Sequence, residues 1–221
     1  MFIGHFAVAL AAKRVTPSTS LGALFAAAQF ADLLWPALLL AGLEVAEVSP
    51  QGAVIPLRFI SYPYSHSLVA AALAAALLGL SWLWWSGSKR AAWVIGALVL
   101  SHWVLDLIVH VPDLPLLPVG GPRWGLGLWQ RPMLALLLEL ALFAAGAWLY
   151  LDATEAADRV GRWGLWSLLL FLVLIQLANA WGPRPPDIAP VIWSGHATWL
   201  LVAWGWWADL HRRARSRINR G

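Results

Sequence analysis

The chain has 221 residues, of which 61% are hydrophobic and only 12% charged, with a mean hydropathy of +0.70. That composition excludes an ordinary water-soluble domain and places the chain among membrane proteins. Its net charge of +4 is no sign of nucleic-acid binding, because the basic residues sit in short clusters at the ends of apolar segments, and the absence of cysteine excludes disulfides and thiolate metal sites.

The first apolar piece, Phe2 to Ala12, is shorter than a bilayer crossing and reads as a short inserted helix. It has no basic region ahead of it and no small-residue cleavage pattern, so it does not read as a removable signal peptide. Spans of roughly 20 residues at ~1.5 Å rise each follow. They run from Ser18 to Leu43, Tyr64 to Trp85, Arg90 to Val109, Pro132 to Leu151, Arg162 to Trp181 and Pro190 to Leu210. Many of the 17 Trp residues lie near the ends of these runs, where amphipathic rings settle at the headgroup level. The fold class expected is all-α: a multi-pass transmembrane helical bundle of six to seven helices, with a single domain over 1–210 and a basic tail over 211–221.

If the spans alternate, 11 of the 15 Lys and Arg residues share one side, and the positive-inside rule makes that side, with the C-terminal tail, cytoplasmic. The Arg-rich tail reads as a lipid-headgroup anchor and not as a nucleic-acid arm. Two longer loops lie on the other side, Glu44 to Pro63 and the Pro- and Gly-rich Val111 to Arg131. Gly182 to Pro190 reads as an extended connector.

Ionisable groups are costly inside a bilayer, by roughly 2.5 to 3.5 kcal/mol each, so their depths carry information. Counted from the basic ends of the spans at ~1.5 Å per residue, Asp32, His102, Asp106, Glu139, Gln176 and His196 fall in one slab about 18 to 24 Å up. Gln29 shares a face with Asp32, and Asn179 with Gln176. A shared cavity in the outer half of the membrane accounts for that agreement.

His102 and Asp106 stand at i and i+4, with His110 one turn on, so a nitrogen and an oxygen ligand can converge on one cation. The alternative is a buried structural pair. His66 follows Pro63 and Ser65, which mark a helix start. By spacing alone it is either a capping residue or a ligand, and His5 after Gly4 is equally open. His196 either belongs to the site or bonds across helices to Gln176 or Asn179, and the second is expected. Glu139 is either a general base or the buried partner of Arg131 or of a histidine, and His211 beside the Arg tail is interfacial.

The segments Gly4-His5, Asp32, Pro63-Tyr64-Ser65-His66-Ser67-Leu68 and Ser101-His102…Asp106…His110-Val111-Pro112-Asp113, followed by Gly125-Leu126-Gly127-Leu128-Trp129, carry a resemblance. Together they resemble the membrane-bound metal-dependent hydrolases of bacteria, a family distantly similar in motif order to zinc-dependent phospholipase C and related nucleases. The likeness covers about the first 130 residues; beyond them only hydrophobic helices correspond. It implies an inner-membrane protein whose metal shell is His5, Asp32, His66, His102 and Asp106. It also implies a Zn²⁺-type ion and water activated for attack on an ester or phosphoester. The further His and Glu ligands of the soluble enzymes have no match here beyond His110 and Asp113, so a mono- or dinuclear site is expected. On that reading the substrate is lipid-derived and enters from the outer leaflet under the Val111 to Arg131 loop as a lid. His110 or Glu139 then shuttles protons. The rival readings are a proton or divalent-cation transporter built on the same polar layer, and a scaffold in which that layer only joins helices. Haem ligation by His102 and His196 has no supporting motif.

Overall fold

The computed structural model describes residues 1–215, so Arg217 and Arg220 of the basic tail lie outside the described residues. Its helices are α1 (Ile3–Ala12), α2 (Leu21–Ala28), α3 (Phe30–Leu40), α4 (Pro63–His66), α5 (Leu68–Ser86), α6 (Lys89–Val109), α7 (Pro132–Ala153), α8 (Arg159–Trp181) and α9 (Ala189–Leu210). Side-chain oxygens start several of them: Ser20 accepts from Ala23 N–H, Ser67 from Ala70 N–H, Ser88 from Ala91 N–H and Asp158 from Gly161 N–H. The Gly161 amide, and then His211, hold the Asp158 carboxyl below its ordinary pKa. Gly87, at φ +65°, ends α5 in the left-handed conformation and turns the chain into α6.

Four helices, α5 to α8, are long and apolar enough to cross a membrane, and α2 with α3 makes a fifth if counted as one bent span. The expected Ser18–Leu43 span is broken: α2 and α3 meet at Gln29 with a 58° bend. At 10 residues α1 is too short to cross alone. Helix α9 is as long as its neighbours, but Ser194, His196 and Thr198 interrupt its apolar run.

Packing follows small side chains. Gly79 of α5 lies against the Ala92 carbonyl of α6, and Gly96 of α6 against that of Ala75, so the two helices touch backbone to backbone. Gly146 of α7 admits the Ala7 backbone of α1 in the same way. At the basic end Asp209 accepts from Lys13 Nζ (2.5 Å), Tyr150 Oη (2.6 Å) and Leu21 N–H (3.0 Å), which ties α1, α2, α7 and α9 together. Arg14 pairs with Asp152 and Arg213 with Glu155 at that end. There β5 (Thr154–Ala156) takes the tail strand β6 (Arg212–Ala214) antiparallel.

The opposite end holds three features that hydropathy alone did not disclose. Val45–Val48 (β1) and Leu57–Ser61 (β2) form an antiparallel hairpin. Leu114–Pro115 (β3) pairs with Arg123–Trp124 (β4). The loop after α6 is pinned: Leu126 N–H donates to the Leu107 carbonyl, Gly127 N–H to that of His110, and Val69 N–H to that of Leu116. One apolar core of α1, α2, α6, α7, α8 and α9 side chains fills the basic half, and a smaller one around Trp35, Tyr62, Trp103 and Leu114 fills the opposite end. The polar residues lie between the two.

Candidate metal centre

Five side chains from four elements meet at that seam: His5 of α1, Asp32 of α3, His66 of α4, and His102 and Asp106 of α6. His5, Asp32 and His102 bring one ligand atom each within 4.8 Å of one another, and so do His66, His102 and Asp106. The structure thus unites all the residues that the family resemblance implies as a metal shell. His5 Nε2 lies 3.1 Å from Asp106 Oδ1, and His102 Nε2 3.3 Å from Asp106 Oδ2. His66 Nε2 lies 3.4 Å from Asp32 Oδ1. Two ligand atoms about 2.0 to 2.2 Å from one tetrahedral ion stand about 3.3 to 3.6 Å apart, so the His102 and His66 separations suit a shared cation, while His5 is at hydrogen-bond distance from Asp106.

Hydrogen bonding fixes which ring nitrogens carry protons. Ser65 Oγ donates to Glu44 Oε2 (2.6 Å) and so accepts from His66 Nδ1, also at 2.6 Å. The Ala28 carbonyl at the end of α2, beside the break, accepts from His102 Nδ1 (2.8 Å). Asp113 Oδ1 accepts from His110 Nδ1 (2.9 Å). With Nδ1 protonated, each neutral ring turns its Nε2 lone pair inward. His66 and His102 thereby aim lone pairs at the carboxylates of Asp32 and Asp106, and His102 Nε2 is buried with no hydrogen-bond partner among the described residues. Lone pair against carboxylate is repulsive unless a cation stands between them. Protonating every ring is a poor remedy, because His5 and His102 stack with centroids 3.7 Å apart and two imidazolium rings there would repel. A divalent ion in either of the two overlapping groups would satisfy its members, and an outer acceptor on Nδ1 is what a metal-bound imidazole needs.

Positive charge is already drawn to this spot, since the Met1 amine donates to Asp106 Oδ1 at 2.5 Å. Glu139 accepts from the Phe2 and Gly4 amides (2.7 and 3.3 Å). Neither Arg131 nor a histidine is its hydrogen-bond partner; it secures the first turn of α1 and with it His5. His110 stands one layer out, its Nε2 3.9 Å from Asp106 and its ring against Trp129 and Phe59. Burial, and then the Asp113 carboxylate, raises the pKa of the neighbouring Tyr62 hydroxyl, which stays protonated. His196 does not bond across helices: its Nδ1 returns to the Ile192 carbonyl of its own helix.

Read from the sequence, Ser65 is only a helix-start signal and Glu44 has no assigned role. Glu44 is 2% exposed and accepts from Tyr64 N–H, Ser65 N–H and Ser65 Oγ, so one carboxylate caps α4 and orients His66. The signal was present as a lone acid at the end of an apolar run, some 20 residues ahead of the segment it caps. No family model matches the chain, and no curated protein or solved structure matches it.

Proposed function

We propose that the protein is a membrane-embedded, metal-dependent hydrolase acting on an ester or phosphoester of lipid origin, in line with its resemblance to the bacterial membrane-bound metal-dependent hydrolases. The observation that carries this reading is the pair His66 and His102, whose Nδ1 protons are committed elsewhere while their Nε2 atoms face Asp32 and Asp106. With no cysteine in the chain, the imidazole and carboxylate donors favour a Zn²⁺-type ion held by His5, Asp32, His66, His102 and Asp106. A divalent ion in such a shell lowers the pKa of a coordinated water and so supplies a nucleophile near neutral pH. Glu44, Ser65 and the Ala28 carbonyl orient the ligands, Glu139 holds His5 in place, and His110 with Asp113 is the group to exchange protons with the outer side. We place the chain in the inner membrane with α1 inserted and α9 crossing, six to seven helices in all, and with the basic end in the cytoplasm.

Metal analysis of the purified protein tests the reading. Wild type is expected to retain about one or two equivalents of a divalent ion, and His102→Ala and Asp106→Ala to lose it. A folded wild type that stays metal-free after zinc loading overturns the proposal. The break between α2 and α3 beside Asp32 favours one second reading, a cation pathway, because discontinuous helices line ion sites in transporters. Divalent-cation flux in proteoliposomes without lipid turnover would decide for it.

A further inference from the structure

The five side chains differ sharply in accessibility. Those of His5, His66, His102 and Asp106 are at most 4% exposed, whereas that of Asp32 is 32% exposed. Toward the end opposite the basic one, Tyr62 (1%), Leu114 (0%) and His110 (2%) are buried. The groove of about 510 Å³ bordered by Phe59, Asp113 and Trp129 has none of the five side chains in its lining. Backbone hydrogen bonds pin the loop after α6 to that helix.

The way in is sideways. Helix α5 packs on α6 and α4, while α3 packs chiefly on α9, and a slot remains between α3 and α5 with α6 as its floor. Ala70, Ala71 and Ala74 of α5 form one wall, Phe30 of α3 the other, and the slot reaches His66 and His102. His102, whose buried Nε2 has no hydrogen-bond partner among the described residues, is thus part of its lining. The same α5, a helix fit to cross a membrane, carries Leu73, Leu77 and Leu80, 60 to 66% exposed, on one face. That face meets hydrocarbon, not water. The slot's enclosed part is only about the size of one water, so its walls must part before a lipid enters.

We propose that this slot is a lateral portal through which an acyl lipid enters from the bilayer, its chain along Ala70, Ala71 and Ala74 and its ester end at His66 and His102. The substrate class is thereby an acyl ester drawn sideways from the membrane. The ester clause rests on the hydrolase reading; occupancy of the slot by a chain does not.

Photolabelling separates the two. Wild type and Ala74→Phe are reconstituted in phosphatidylcholine vesicles containing a phospholipid with a mid-chain diazirine, and the labelled residues are mapped by mass spectrometry. Val99 lines the slot and is 3% exposed, so a probe reaches it only from inside. Val99 is expected to be labelled in wild type and at least tenfold less in Ala74→Phe, with Leu73 and Leu77 labelled equally in both. Equal Leu77 labelling and an unchanged melting temperature show that the variant folds, and Ala70→Leu gives the same comparison with a smaller side chain. Wild type labelled at Leu73 and Leu77 but not at Val99 overturns the portal, whatever the protein hydrolyses. Labelled Val99 in a protein that binds no metal keeps the portal and removes the hydrolase.

Discussion

Ser65 does its work with a single proton. Its hydroxyl points that proton at Glu44 and so can only accept from His66, which fixes the ring tautomer. Ser65→Ala is expected to weaken zinc binding by about 10- to 100-fold, read by competition with a chelator, and to cost about 1 to 3 kcal/mol of apo stability because the buried His66 Nδ1 proton loses its acceptor. Glu44→Ala is expected to cost more. It strands the Tyr64 and Ser65 amides as well as the hydroxyl, and each buried group left unsatisfied costs about 1 to 3 kcal/mol, so this variant loses stability as well as metal. A second cluster follows the same logic without any ligand. Lys13→Met leaves the Asp209 carboxylate buried without its cation and is expected to cost about 3 to 5 kcal/mol in detergent unfolding. The double variant Lys13→Met/Asp209→Leu recovers much of that loss, because removing both charges removes the unpaired one; a double variant no more stable than Lys13→Met would contradict this account.

Among the elements, α1 is too short to hold on its own and depends on its neighbours. Ten residues make a marginal isolated helix, so its place is set by Glu139 at its first turn, Lys13 just past its end and Gly146 along its side. Any Cβ at residue 146 would collide with the Ala7 backbone. Gly146→Ala is therefore expected to destabilise by about 1 to 3 kcal/mol and to lower metal affinity by displacing His5. Ala145→Leu, one residue away on the exposed face, is expected to change neither. Unequal effects on thermal melting and zinc competition check this pair. The α2–α3 break has a comparable role: an unbroken helix would engage the Ala28 carbonyl in its own ladder, whereas here it receives His102 Nδ1.

Across the whole molecule, charge and hydrogen bonding divide the two ends. Lys13, Arg14, Arg212 and Arg213 are paired at one, while Arg184 bonds the Pro50 carbonyl and Arg123 approaches that of Ile60 at the other. Because the chain has no cysteine, single-cysteine variants report topology cleanly. In intact spheroplasts a membrane-impermeant maleimide is expected to label Gln51→Cys and Val119→Cys, and to reach Ser88→Cys and Ala157→Cys only after permeabilisation. The reverse pattern would invert the assigned orientation.

The helical, membrane-type character was legible in the residues themselves, because long apolar runs report burial in hydrocarbon whatever their neighbours. Part of the cluster was legible too: His102 with Asp106 announced a shared face by their i, i+4 spacing, whereas His5 and His66 entered through the resemblance alone, and His196, at the same depth, bonds within its own helix. Crossing numbers were less legible, since the Ser18–Leu43 run hid a 58° break that hydropathy does not register. What only the tertiary structure decided was which groups finish the site and how it is reached. Glu44 and the Ala28 carbonyl act through hydrogen bonds to residues 21 and 74 positions away, and the opening lies sideways between α3 and α5. Those features arise from how separate helices pack, and packing distances between remote segments leave no periodic trace in the chain.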